Sequence, residues 1–129
     1  MKKIAVVEDN PDNLLLIEAI LGSEYEIITF ENGPDALAGL PDCQAELILL
    51  DIALPGMDGV TVLQEIRKIV QLKNLPVIAL TAHAMMGDKE KYLGKGFDDY
   101  YSKPILDMDH FKDLVKSYMT PRQSVSGEG

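Results

Sequence analysis

The chain has 129 residues, 47% of them hydrophobic and 26% charged, a composition typical of one globular domain with an apolar core. Its formal net charge of −9 disfavours nonspecific binding to nucleic acid or anionic lipid, so we expect protein partners and no direct nucleic-acid contact. Cys43 has no second cysteine to pair with, which excludes an internal disulfide and fits a reducing cytoplasm.

Two further features bear on where the protein resides. No apolar run approaches the roughly 20 residues that span a bilayer, so we expect no membrane insertion. The basic start is followed by only four apolar residues, 4–7, which is too short for an export signal and reads as a first strand. We therefore expect a cytoplasmic protein.

Short apolar runs rich in strand-forming residues alternate along the chain with segments of helical periodicity. The expected strands cover residues 4–7, 25–30, 46–50, 76–80 and 98–102. This alternation predicts βαβ units and an α/β fold with a five-stranded parallel sheet. Right-handed crossovers would give a doubly wound sheet, for which the flavodoxin-like order 2-1-3-4-5 is one of two common solutions.

Five helices are expected around this sheet. The first begins near Pro11, capped by Asp9 or Asn10, and ends at Gly22, with Leu15 in its apolar set. A short second helix covers about residues 34–40. A stronger third helix covers residues 60–72, and its apolar stripe runs as far as residue 70.

The last two helices complete the predicted domain. The fourth, about residues 84–93, is weakly patterned, whereas the fifth carries an apolar stripe at residues 111, 114, 115, 118 and 119. Residues 120–129 are polar and rich in serine and glycine, so they predict a flexible C-terminal tail. The folded domain is therefore expected to cover residues 1–119.

The residues that suggest chemistry stand at the ends of the predicted strands. Asp51 directly follows the apolar run 46–50 and opens a loop rich in proline and glycine, which suggests a carboxylate delivered to the mouth of a cleft. On a 2-1-3-4-5 sheet, Asp51 would meet four other side chains at the carboxyl edge of the strands. These are Glu8, Asp9, Thr81 and Lys103.

Such a cluster predicts a metal and a phosphoryl group. Three carboxylates held together repel one another unless a cation joins them, and oxygen-only ligands favour Mg²⁺, with Mn²⁺ as an alternative, over zinc. The Thr81 hydroxyl and the Lys103 ammonium suit the oxygens of a phosphoryl group transferred to Asp51. Because the resulting acyl phosphate can be cleaved by water, the modification would be reversible, as a switch requires.

With these residues, the chain resembles a receiver domain of the response regulators of bacterial two-component systems over residues 1–119. The resemblance implies that Asp51 is the phosphoacceptor and a metal ligand. It also implies that Asp9 binds the metal directly, that Glu8 acts through water, and that Ala53 contributes its backbone carbonyl. Residues 80–88 are most similar to receivers of hybrid histidine kinases and to stand-alone cell-cycle regulators.

The resemblance further implies a conformational switch. Thr81 matches the switch hydroxyl, Lys103 the phosphate-binding lysine, and Tyr100 the aromatic that moves when Thr81 engages phosphate. Tyr101 is the competing aromatic at this place, and Tyr100 could serve only in packing at a sheet edge. The Lys103–Pro104 peptide matches a position that is often cis in the family.

The function implied is that of a receiver without an output domain. It would take a phosphoryl group onto Asp51 from a histidine kinase or a histidine phosphotransfer protein and signal through protein contacts of the strand 4 to helix 5 surface. It would promote only its own phosphorylation and dephosphorylation, so we expect no separate enzymatic activity.

Three other functions are weighed against the receiver. A nonphosphorylated interaction module would keep the fold without needing the intact site residues. An aspartate-nucleophile phosphohydrolase would need an acid/base carboxylate two residues after the nucleophile, where Ala53 stands. A flavin carrier would need a phosphate-binding loop after strand 1, where Glu8 and Asp9 would repel the phosphate.

Overall fold

The computed structural model describes residues 1–82 and 88–119. Its five strands form one parallel sheet in the order β2-β1-β3-β4-β5, which confirms the predicted fold. This order places β1 and β3 side by side at the centre. The strands are β1 (Lys3–Val7), β2 (Glu26–Phe30), β3 (Leu47–Asp51), β4 (Val77–Thr81) and β5 (Asp99–Ser102).

Within the described residues, five helices cover the two faces of the sheet. Because strand side chains alternate between faces, β1, β3 and β4 each contribute to two separate cores. One core lies under α2, α3 and α4, and the other lies under α1 and α5. The helices are α1 (Pro11–Leu21), α2 (Gly33–Cys43), α3 (Gly59–Ile66), α4 (Asp88–Gly94) and α5 (Met108–Met119).

Capping residues start the two helices that follow the central strands. The side chain of Asn10 accepts a hydrogen bond from the Asp12 N–H at 2.8 Å and caps α1, so the second of the two predicted caps is used. The side chain of Asp58 accepts one from the Thr61 N–H at 2.9 Å and caps α3. The loops leaving β1 and β3 are therefore fixed at their far ends.

The second helix is longer than predicted. It continues through Pro41 to Cys43 rather than ending near residue 40. Proline removes one backbone donor, but here it lies within the last turn. The helix stops at Gln44, whose φ of 61° is left-handed.

The third helix is shorter than predicted. It ends at Ile66 rather than at residue 72, and residues 67–75 form successive turns. The Arg67 guanidinium folds back over these turns and donates from Nη1 to the carbonyls of Lys73 and Leu75, at 3.2 and 2.7 Å. Val70, predicted to be part of the apolar stripe, is consequently 78% exposed.

One residue of the first predicted apolar stripe also faces solvent. Leu15 is 64% exposed, whereas Ile17, Ile20 and Leu21 are buried. At 100° per residue, Leu15 falls outside the arc that these three side chains share. The prediction that Leu15 belongs to the core was therefore wrong.

Some predictions fall on residues 83–87 and 120–129, which lie outside the described residues. They are the start of the fourth helix near residue 84 and the flexible tail of residues 120–129. In the two ranges that the structure describes, no helix is both long enough and apolar enough to cross a membrane.

Candidate functional site

Three carboxylates meet where the two central strands end. Glu8 and Asp9 follow β1, and Asp51 is the last residue of β3. One oxygen atom from each carboxylate lies within 4.8 Å of the others. Glu8 and Asp51 are buried, whereas Asp9 is exposed and opens the cluster to solvent.

Lys103 bridges the two buried carboxylates. Its Nζ lies 3.0 Å from Asp51 Oδ2 and 3.1 Å from Glu8 Oε1. The lysine follows β5, where its N–H donates to the Thr81 carbonyl at 2.8 Å, and the Lys103–Pro104 peptide is cis, as predicted. Its side chain thereby joins residues from the ends of three strands, β1, β3 and β5.

Backbone N–H groups bind the other oxygen of each buried carboxylate. The Asn10 N–H donates to Glu8 Oε2 at 3.1 Å, and the Ala53 N–H donates to Asp51 Oδ1 at 3.1 Å. In each carboxylate, Lys103 therefore binds one oxygen, and a backbone N–H of the loop that follows the same strand donates to the other. Two opposed contacts fix the plane of each carboxylate before any ligand binds.

Gly59, the first residue of α3, packs against the backbone that carries Asp51. A Cβ at this position would lie 2.4 Å from the Asp51 carbonyl oxygen and 2.8 Å from the Ile52 Cα, so the start of α3 packs directly on the backbone that carries Asp51. The sequence analysis did not assign Gly59 to the site. The signal that could have identified it is a glycine placed between a helix cap and an apolar helix, where no turn requires one.

The charges of the cluster are not balanced. Burial raises the pKa of Glu8, the negative charge of Asp51 raises it further, and the Asn10 N–H and Lys103 lower it by less. Burial would lower the pKa of Lys103, but its hydrogen bonds and charge attraction to Asp51 and Glu8 raise it overall. A protonated lysine thus faces more negative charge than it can neutralise.

The donor set fits a divalent cation. Among the described residues, the cluster holds three carboxylates and one ammonium, a formal excess of two negative charges. All the candidate side-chain ligands, on Glu8, Asp9 and Asp51, are oxygens, which suits Mg²⁺ or Mn²⁺. Ala53 lies on the same loop, where its backbone holds Asp51.

The remaining predicted site residues lie around this cluster. Thr81 ends β4, between the strands of Asp51 and Lys103, and is 2% exposed. Tyr100 packs with the core that contains Val77 and Ala79, so it shares a face of the sheet with Thr81. Tyr101 points to the opposite face, where its ring centroid lies 5.0 Å from that of Phe111. Of the two aromatic candidates, Tyr100 is therefore the one on the face of Thr81.

Comparisons with known sequences agree with this fold. Residues 4–116 match the family model of the response regulator receiver domain. The chain is 39% identical over 119 residues to the polar-differentiation response regulator DivK of Brucella anthropi, covering 92% of this chain and 96% of DivK. It is 42% identical over 103 residues to the signal transduction histidine-protein kinase BarA of Escherichia coli (strain K12), covering 79% of this chain but only 11% of that kinase.

A solved structure extends the likeness to three dimensions. The receiver domain of the sensor histidine kinase PA1611 from Pseudomonas aeruginosa PAO1 is 35% identical and has a TM-score of 0.81. The match covers 91% of this chain and 96% of that domain, which has a magnesium ion coordinated in its active-site cleft. The chain therefore belongs to the response regulator receiver domains of two-component signalling systems.

Proposed function

We propose that this receiver accepts one phosphoryl group on Asp51, with Mg²⁺ bound beside it, and so switches or relays a signal. The donor would be a phosphohistidine of a histidine kinase or of a histidine phosphotransfer protein. The observation that carries the proposal is the Lys103 ammonium, held 3.0 Å from the buried Asp51 carboxylate and 3.1 Å from that of Glu8. Asp51 is a buried carboxylate held beside a cation, and the cluster reaches solvent at the exposed Asp9. This arrangement suits attack of the carboxylate on an incoming phosphoryl group.

The transfer would be a simple displacement. A carboxylate oxygen of Asp51 would form a bond to phosphorus while the bond from phosphorus to the donor imidazole nitrogen breaks, leaving its electron pair on that nitrogen. Lys103 would bind the oxygens of the transferring group, and the Thr81 hydroxyl would donate to one of them afterwards. Later attack of water on phosphorus would release inorganic phosphate and restore Asp51.

The metal would be held by residues from two strand ends. We propose that Asp9 and Asp51 bind it directly, that Glu8 binds through water, and that the Ala53 carbonyl completes the protein ligands. When bound, Mg²⁺ spreads the negative charge of the transferring phosphoryl group. The magnesium ion in the PA1611 receiver supports this assignment by similarity.

The signal would leave through the surface between β4 and α5. Engagement of phosphate by Thr81 would let Tyr100 repack inward and shift a pre-existing equilibrium of this surface. An open groove of about 570 Å³ lies there, lined by residues that include Lys89, Tyr100, Leu106 and His110. A protein target could read the groove directly.

Intact mass spectrometry tests the proposal. The protein is incubated with acetyl phosphate, with and without Mg²⁺, beside Asp51→Asn and beside Asp58→Asn as a matched control. Asp58 is exposed and caps α3, a role that asparagine also fills, so its variant should behave as wild type. We expect a Mg²⁺-dependent gain of one phosphoryl group in the wild type and in Asp58→Asn, and none in Asp51→Asn.

A negative result would favour a different function. If folded, Mg²⁺-loaded wild type gained no phosphoryl group, the nonphosphorylated interaction module would become the better account. A gain that persisted in Asp51→Asn would move the phosphoacceptor to another side chain.

A further inference from the structure

Tyr92 of α4 is a buried aromatic residue that the proposed function leaves unexplained. Its side chain is 6% exposed and belongs to the core beneath α2, α3 and α4. Its ring lies between two others, with centroids 6.1 Å from Phe97 in an edge-to-face arrangement and 6.3 Å from Tyr100 at an interplanar angle of 32°. A row of three rings therefore connects the end of α4 to β5.

Two of these rings are held more firmly than the third. The N–H groups of Lys95 and Phe97 both donate to the Tyr92 carbonyl, at 3.0 and 3.3 Å, which fixes the turn that follows α4. Phe97 is 3% exposed, whereas Tyr100 is half-buried and borders the open groove. Of the three rings, Tyr100 is the one that borders this groove.

Of the three rings, Tyr100 is the one that belongs to a strand, and its strand pairs with the strand of Thr81. Tyr100 pairs with Ala79, which precedes Thr81 by two residues and shares its face of β4. The side chain of Ala79, which lies between them on this face, is only a methyl group. The Tyr100 ring is in contact with Tyr92 on α4.

We propose that Tyr92 is a positioning residue whose ring holds Tyr100 in its half-exposed position and thereby sets how readily phosphorylation of Asp51 turns the switch. This rests on the proposed function, in which Tyr100 moves toward Thr81. Aromatic pairs at this separation stabilise the arrangement in which the rings meet, and an inward movement of Tyr100 would give up that contact. A contact made in one of two states shifts the equilibrium toward that state.

The expected effect follows from the strength of aromatic pairs. Tyr92→Leu removes the ring contact but keeps a large apolar side chain that favours a helix. Loss of one such pair corresponds to a change of about threefold to tenfold in the equilibrium constant. We therefore expect Tyr92→Leu to bind beryllofluoride, a stable mimic of the phosphoryl group on Asp51, about threefold to tenfold more tightly than wild type in saturating Mg²⁺.

Fluorine NMR reports the position of Tyr100 separately from binding. The chain has five tyrosines, so uniform fluorotyrosine labelling gives five signals, and Tyr100→Phe identifies the one of interest. In Tyr92→Leu without beryllofluoride, the Tyr100 signal should move toward its position in the beryllofluoride-bound wild type. Tyr92→Phe keeps the ring. It should therefore retain the wild-type midpoint of the beryllofluoride titration and the wild-type position of the Tyr100 fluorine signal.

A matched control separates positioning from general loss of packing. Tyr101→Leu makes the same tyrosine-to-leucine change in β5, next to Tyr100 but on the opposite face of the sheet, where Tyr101 packs against Phe111. It should lower stability without moving the Tyr100 signal. If Tyr92→Leu does not fold, Tyr92→Met removes the same ring with a more adaptable side chain and carries the same expectation.

The outcomes for Tyr92 and for the phosphoacceptor site are distinguishable. A wild type that binds beryllofluoride, beside a Tyr92→Leu variant with an unchanged midpoint and an unchanged Tyr100 signal, would overturn the role of Tyr92 and leave the proposed function standing. A folded wild type that binds no beryllofluoride in Mg²⁺ would contradict both the role of Tyr92 and the proposed function.

Discussion

The two ends of the sheet each hold a charged cluster, and the clusters are built differently. At the amino end, Arg67 Nη2 lies 3.0 Å from Asp98 Oδ2, and the guanidinium also donates to the carbonyls of Lys73, Leu75 and Gly96. At the carboxyl end, Lys103 faces two buried carboxylates, with the exposed Asp9 beside them. The first cluster joins chain segments, whereas the second concentrates negative charge.

This difference separates charges that stabilise the fold from charges that serve function. The Arg67 cluster pairs one cation with one anion and satisfies backbone acceptors from three places in the chain. The Lys103 cluster leaves carboxylates that repel each other, which lowers stability until a cation or a proton arrives. Functional sites commonly carry such a cost.

The largest expected effect is on phosphorylation itself. Lys103→Met removes the cation that binds the transferring phosphoryl group, so its rate with acetyl phosphate should fall about 100-fold at saturating Mg²⁺. Arg67→Met, at the other end of the sheet, should leave the rate of the folded protein within about twofold. Intact mass spectrometry measures the initial rate of phosphorylation of both variants. Equal losses of rate would mean that the two clusters are not separate in function.

The next effect is on the free energy of unfolding, at the Arg67 cluster. Arg67→Met leaves three backbone carbonyls without the guanidinium and leaves Asp98 Oδ2 with only the Val77 N–H among the described donors, so the free energy of unfolding should fall by about 2 kcal/mol. Urea denaturation followed by circular dichroism measures this. A loss below about 0.5 kcal/mol would show that water replaces the guanidinium without penalty.

A smaller effect of opposite sign is expected at the phosphoacceptor. Without Mg²⁺, Asp51→Asn should raise the free energy of unfolding by about 1 kcal/mol, because a neutral amide relieves the repulsion with Glu8. Mg²⁺ should then stabilise the wild type more than the variant. Thermal unfolding with and without Mg²⁺ tests this, with Asp58→Asn as the control, and a destabilised Asp51→Asn would contradict the charge argument.

The smallest expected effect depends on pH. Since burial and Asp51 raise the pKa of Glu8, the folded protein binds this proton more tightly than the unfolded chain does. Binding of this proton by Glu8 contributes fully to the free energy of unfolding below the ordinary pKa of a glutamate. The contribution is lost as the pH rises through the raised pKa of Glu8 in the folded protein. Mg²⁺ competes with the same proton, so its affinity should increase with pH over that interval.

Calorimetric titration with Mg²⁺ at several pH values between about 5 and 8 measures this competition. Glu8→Gln cannot bind or release the proton and should show a flatter pH dependence than the wild type. Parallel curves for the two proteins would assign the dependence to another group.

The sequence predicted the sheet, and the proximity of the strand-end side chains, because both follow from short-range signals. The strand ends that carry Asp51, Thr81 and Lys103 are marked by apolar runs that stop abruptly, and parallel pairing brings such ends together. The helix caps Asn10 and Asp58 are equally local signals. The prediction of the sheet and of its clustered side chains therefore depended mostly on the residue types at the ends of strands and helices.

What the sequence did not predict depends on contacts between distant segments. The third helix ends early where Arg67 binds carbonyls far along the chain, including that of Gly96, and no local pattern reveals this. Tyr92 stands in a weakly patterned helix, and its neighbour Tyr100 comes from the following strand. Periodicity shows that a side chain is buried, but it does not show which ring it meets.

Lys103 has a consequence for how the protein is made. It is separated from its partner Glu8 by 95 positions in the chain, so the carboxylates of β1 and β3 are synthesised long before their shared cation. A nascent chain that stops before β5 would carry the acidic residues without the lysine that orients them. We therefore expect the carboxylate cluster to reach its final arrangement only after β5 has been synthesised.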